Sequence, residues 1–282
     1  RISTTMPMTM PNGKNGAIAV AAVGFAAGAC VGSVVSWFLT KEENLETGLA
    51  HSEDPSWLSR GKDPKPPAKD DGWVEVYDEP YHKTELDSKY CRVVRFRFPA
   101  GKRTLFHRHS VDSFFCFFES ARIRNEQLGK PVVEADVTAG TSNGACYCSS
   151  PIIHRISNIG KGWMHGLDVE IKHTDNPDYK TGPLPETENQ FLIYDNTKHP
   201  HGKKMRVYNL HVDAGKKARF SLPFSRLVMC EKGSNIRVTK SDGSSFDTKR
   251  IPHTYWWESN GFEGTIENLG DSEYVIMVAE WH

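Results

Sequence analysis

From residue 72 onward, apolar and polar positions alternate with a period of two in one short run after another, the spacing of half-buried β-strands. Residues 91–98 set Val94, Phe96 and Phe98 on one face and Arg95 and Arg97 on the other. Residues 166–173 alternate again, with Leu167, Val169 and Ile171 expected inward, and residues 114–118 are nearly all apolar, as in a strand buried on both faces. Similar runs recur at 191–194, 206–212, 227–230, 236–239 and 274–279. Turn signals separate them: Pro99-Ala100-Gly101, Asn143-Gly144, Asp213-Ala214-Gly215 and Ser241-Asp242-Gly243. No amphipathic helical pattern follows residue 72. Many short strands punctuated by turns predict an all-β chain built as a double-sheet barrel or jelly roll.

The amino-terminal part reads differently. Residues 17–39 run 23 positions without a charge, enough to span ~30 Å of hydrocarbon as a transmembrane helix. Trp37 and Phe38 stand at its end, where interfacial aromatics belong. A secretory signal peptide is the competing reading, but its apolar core is shorter and Lys14 alone crowds the start. Gly24, Gly28 and Gly32 recur every fourth residue and Ser36 extends the row, a small-residue face that lets a second helix approach closely. Residues 1–16 form a tail, and 40–72 a charged, proline-rich linker through Asp63-Pro64-Lys65-Pro66-Pro67.

The strand-rich part repeats itself. Arg92 to Lys102 resembles Arg206 to Lys216 at an offset of 114, and Ile156-Ser157-Asn158-Ile159-Gly160 resembles Ile266-Glu267-Asn268-Leu269-Gly270 at an offset of 110. Two related domains are expected, at 73–180 and 181–282.

Composition narrows the partners. Lys plus Arg equals Asp plus Glu at 35 each, a neutral balance that argues against nucleic acid. Six cysteines are too few for a disulfide scaffold at this length, and Cys146-x-Cys148 reads as two small half-buried residues on one strand face. The histidines carry the candidate chemistry. His107 and His109 lie two apart, so on a strand both point one way, and His154 follows on a later strand. His199-Pro200-His201 sits in a polar loop-like stretch, and His165, His173, His211, His253 and His282 are isolated in sequence. By the repeat offsets His107 falls on Ser221, His109 on Pro223 and His154 on Gly264, so the second domain is expected to be metal-free.

Gly101-x5-His107-x-His109 and His154-x3-Asn158 resemble the two motifs of the cupin family, with Gly101 and Asn158 as supporting positions. Two departures stand out. The family's glutamate slot falls at Ser113 or Phe114, and Pro151-Ile152-Ile153 replaces the usual Pro-x-Gly before His154. The resemblance implies two tandem cupin barrels (a bicupin), the first with one divalent metal on His107, His109 and His154, or none. It favours iron, with zinc, manganese or nickel as alternatives.

Two functional readings follow. In the first, favoured by the glycine row, the tether and the ligand-free second barrel, the chain is an accessory subunit of a larger membrane complex. It is single-pass in an organellar membrane (mitochondrial inner or thylakoid) and packs against other transmembrane helices or its own copy. In the second it is a tethered non-haem iron dioxygenase using His107, His109 and His154. Phe106, Phe114, Phe115 and Tyr147 would then form apolar walls, and Asp112 is the acidic group nearest the motif.

Overall fold

A computed structural model describes residues 72–88, 91–172, 182–198 and 203–281. The expected tail, transmembrane span and linker to residue 71 lie outside the described residues, and with them Gly24, Gly28, Gly32, Ser36 and His199-Pro200-His201. Among the described residues no helix is long and apolar enough to cross a membrane.

The described chain is all-β, with a single 3-10 turn at Val76–Asp78. In chain order the strands are β1 Val74–Glu75, β2 His82–Asp87, β3 Cys91–Phe98, β4 His107–His109, β5 Ser113–Phe117, β6 Ala121–Gln127, β7 Val133–Val137, β8 Ser142–Ala145, β9 Ile152–Asn158, β10 Met164–Ile171, β11 Gln190–Asp195, β12 Arg206–Val212, β13 Lys217–Leu222, β14 Ser225–Lys232, β15 Asn235–Lys240, β16 Ser245–Lys249, β17 Tyr255–Glu258, β18 Phe262–Asn268 and β19 Tyr274–Trp281.

They form two barrels of two sheets each. The first pairs sheet β1-β4-β9-β6-β7 with sheet β2-β3-β10-β5-β8, and the second pairs β13-β18-β15-β16 with β11-β12-β19-β14-β17. The strand orders of the two barrels correspond one to one, β2 with β11 through β10 with β19, with β1 the only unmatched strand among those described. The same fastener closes both. Asn158 donates from Nδ2 to the carbonyls of Phe98 and Gly162 and accepts from the Gly160 N–H. Asn268 repeats all three bonds with Val212, Ser272 and Gly270. Gly101 and Gly215 turn the chain at φ +76° and +66°, a conformation that favours glycine, and each donates its N–H to the carbonyl of its asparagine, Asn158 or Asn268.

The barrels share a core. Val93, Phe114, Cys116, Leu167, Val169 and Ile171 of the first pack against Met205, Val207, Leu227, Met229, Met277 and Trp281 of the second. This seam corrects two expectations. Leu167, Val169 and Ile171 point into the seam, so the interior of the first barrel receives the other face of β10, which carries Met164, Gly166, Asp168 and Glu170. Phe114 belongs to the seam as well, on the face of β5 opposite Phe115 and Phe117.

The repeat offsets also need correction at one point. In the first barrel His107 pairs with His154, whereas in the second Phe220 pairs with Gly264. The segment leading into β4 is therefore one residue longer than its counterpart, and the register equivalents of His107 and His109 are Phe220 and Leu222, not Ser221 and Pro223. Both are buried in the apolar core of the second barrel.

Candidate metal centre

β4 and β9 are adjacent antiparallel strands, so the outward Arg108 leaves His107 and His109 facing the barrel interior beside His154. The three rings are buried, with centroids 4.7–5.0 Å apart, and one ring nitrogen from each lies within 4.8 Å of the others. His107 Nδ1–H donates to the Leu105 carbonyl at 2.9 Å, and His154 Nδ1–H to Asn125 Oδ1 at 3.1 Å. Both rings therefore present Nε2 inward as a lone pair, and Nε2 of His154 is buried with no partner.

Electrostatics keep these lone pairs available. Burial, followed by the imidazoles of His154, His82 and His109, holds His107 well below the usual histidine range. Burial, then His109 and His82, does the same for His154. Neutral imidazole is the form that binds a metal. The donor set fits a divalent cation: three buried imidazole nitrogens converge, and at least one has no other partner.

The histidines sit in a chamber with about 570 Å³ of empty volume, its mouth included. Eight apolar side chains line it: Phe96, Phe98, Phe115, Phe117, Ile123, Val137, Ile156 and Met164. Tyr147 lies against His109 at 5.1 Å, its phenol pushed up by burial and then by Asp168. Among the described residues, no lysine, arginine or carboxylate lines the chamber. Of the expected walls, Phe115 and Tyr147 are present. Phe106 stands outside under the Arg155 guanidinium. Asp112 has a structural task, accepting the backbone N–H groups of Cys148 and Lys203. Cys146 and Cys148 follow β8 instead of lying on a strand face, one buried and one exposed.

Three residues without a motif complete the site. His82 lies against His107, ring centroids 4.7 Å apart, and its Nδ1–H donates to Glu79 at 2.7 Å. Glu79 is buried and also accepts the N–H groups of Tyr81 and Leu105, which ties it to the segment leading into β4. Asp168 reaches across from the opposite sheet to His109, Nδ1 to Oδ2 3.3 Å. Two residues on, Glu170 is pushed up to about 7 by burial and then by Asp168, although Arg92 bonds it at 2.8 Å. The Asp168 signal in the sequence is an acidic residue inside an alternating strand, on the face read as outward.

His165 and His253, isolated in sequence, meet at the seam with rings 4.7 Å apart beside Glu119. This group is a poorer fit to a cation. Nε2 of His165 accepts from the Arg95 guanidinium at 3.1 Å, and its Nδ1–H faces Glu119 at 3.3 Å, so both nitrogens are engaged beside a fixed positive charge.

No family model and no curated protein matches this chain. Among solved structures it is similar to the oxalate decarboxylase of Bacillus subtilis studied for its Mn(II) centres, at 14% identity over 68% of this chain and 69% of that one, TM-score 0.48. The same enzyme at pH 4.6 gives 14% identity over 68% of each chain, TM-score 0.48. Likeness this distant assigns no activity.

Proposed function

We propose that the first barrel is a cupin-type metal centre, holding one divalent cation on His107, His109 and His154 and receiving a small, largely apolar molecule in the chamber beside it. The observation that carries this is the convergence of three buried imidazoles, with an unpartnered Nε2 on His154, into an apolar chamber. A bound cation would supply Lewis acidity and positions for exogenous ligands. The chain's own residues do the rest. Leu105 and Asn125 fix two rings through Nδ1, the phenylalanines exclude water, and His82 with Glu79 sets a hydrogen-bonded wall beside His107. Iron follows from the cupin resemblance, and the Bacillus subtilis neighbour is described with Mn(II). The second barrel is the scaffold, since Phe220, Leu222 and Gly264 stand where the ligands would be.

The ligand class follows from the lining. Without a lysine or arginine in the chamber, a dicarboxylate has no side-chain cation to pair with, while an alkyl or aryl body has eight apolar contacts. Titrating the cobalt-loaded chain with 1-hexanol and, separately, with oxalate reads this from the cobalt visible bands. Hexanol is expected to perturb them at the lower concentration. A response to oxalate alone would overturn the apolar assignment.

We further infer that residues 17–39 anchor the chain in a membrane and that Gly24, Gly28, Gly32 and Ser36 face a partner helix, from another subunit or a second copy. The support is the uncharged run and the four-residue spacing. Gly28→Leu is expected to shrink the detergent-extracted assembly on native gels. Unchanged migration would remove the packing face.

A further inference from the structure

We propose that Asp168 is the positioning residue of this site: it accepts the Nδ1–H of His109 and so commits Nε2 of that ring to the cation. The proposal rests on the metal reading above. Asp168 comes from β10, at the centre of the sheet opposite the one that carries the three histidines. It is 0% exposed, and neither carboxylate oxygen has a hydrogen-bond partner. Oδ2 stands 3.3 Å from Nδ1 of His109, which is also buried and unpartnered, the two aligned too poorly for a hydrogen bond.

Three orphaned polar atoms thus collect on one contact. The other two histidines have their Nδ1–H groups anchored, by Leu105 and by Asn125, and His109 is the one whose orienting partner is in place but not engaged. A buried carboxylate without a partner is costly, and such a group persists where something compensates its charge. A cation on Nε2 of His109 does so through the ring. It makes Nδ1–H a stronger donor, and a small rotation of the imidazole closes the bond to Asp168. The carboxylate stands behind His109 and outside the cluster of three nitrogens, which is the place of an orienting group and not of a fourth ligand. It supplies from β10 a carboxylate that the Ser113 and Phe114 positions lack.

The test uses the full chain stripped of metal with a chelator, as wild type, Asp168→Asn and His107→Ala, titrated with cobalt(II) against a competing chelator and melted without metal. Asp168→Ser is carried alongside in case the amide variant does not fold. The expected result has three parts. Asp168→Asn weakens cobalt affinity by about 10–100-fold. It leaves the visible spectrum at saturation unchanged. It does not lower the melting temperature of the metal-free protein, because the Asp168 carboxylate makes no hydrogen bond there. A purely structural role for Asp168 would lower that melting temperature, and this outcome overturns the proposal. A changed spectrum at saturation also overturns it, by making Asp168 a ligand. If Asp168→Asn binds cobalt as wild type does while His107→Ala loses it, the positioning role fails and the metal reading stands. If His107→Ala binds cobalt as tightly as wild type, the metal reading fails and this proposal with it.

Discussion

Asn158 and Asn268 show how one residue type fastens each barrel. Each is almost fully buried, and each bonds three backbone groups around the strand end it fastens. Removing the amide takes a partner from each of those groups, at about 1–3 kcal/mol for each left dry and unpaired, less where water or another carbonyl, as that of Arg122 for Gly160, takes over. Asn158→Ala and Asn268→Ala are each expected to lower stability by roughly 2–4 kcal/mol in urea denaturation. A loss under about 1 kcal/mol would mean water substitutes freely for the amide. His107 and His109 were legible as two imidazoles on one strand face, and Gly101, His154 and Asn158 through the resemblance to the cupin motifs; the structure supplies the reasons, a positive-φ turn at Gly101 and a buried amide clamp at Asn158. Asp168, Glu79 and His82 were not legible. Asp168 reaches His109 across the barrel, 59 positions along the chain, and the Glu79–His82 pair meets His107 from 25 positions away. No spacing rule encodes contacts of that kind.

Among the elements, the paired β4–β9 and β13–β18 ladders decide where a cation can sit. The same ladder carries His107 against His154 in one barrel and Phe220 against Gly264 in the other. Gly264 is more than a missing ligand, since a Cβ there would overlap the carbonyl oxygen of Thr239. Gly264→His, even combined with histidines at 220 and 222, is expected to destabilise the chain and create no second site. Cobalt titration should still give one equivalent. Two equivalents in a stably folded triple variant would show that the second barrel is closed by sequence alone. The alternation of apolar and polar residues placed eight of the nineteen described strands within about two residues of their observed ends. It misassigned the faces of β10, because both are buried: the apolar face turns into the seam, and the face carrying Asp168 and Glu170, which reads as solvent-facing, turns into the first barrel. The one-residue difference before β4 was equally hidden, since the fall in offset from 114 to 110 says that residues are missing between the two anchors but not where.

The whole molecule is held together by the seam, where the two β-rich halves share one apolar core and a histidine pair, His165 buried and His253 half-buried. Burial lowers His165, and burial together with His165 lowers His253 to about 4. His253 adopts φ +64°, which asparagine tolerates better than most residues. The groups facing the pair are Glu119, which favours protonation, and Arg95 and Arg97, which oppose it. Both folded-state values lie below the unfolded value of about 6.5. The unfolded chain therefore binds more protons in the interval between, and stability is full above pH ~6.5 and falls as pH drops toward the folded values. Melting temperatures should decline from about pH 7 to about pH 4.5, and His253→Asn should flatten part of that decline. An unchanged slope would place the acid sensitivity elsewhere.

The central claim is that the first barrel, and it alone, holds a cation on three histidines. Elemental analysis of the full chain, extracted in detergent without chelators and compared with His107→Ala and His154→Ala, tests it most directly. The expected result is close to one equivalent of a divalent transition metal in the wild-type chain and almost none in either variant. Equal metal in all three, or a wild-type chain without metal that also takes up none on titration, would contradict it.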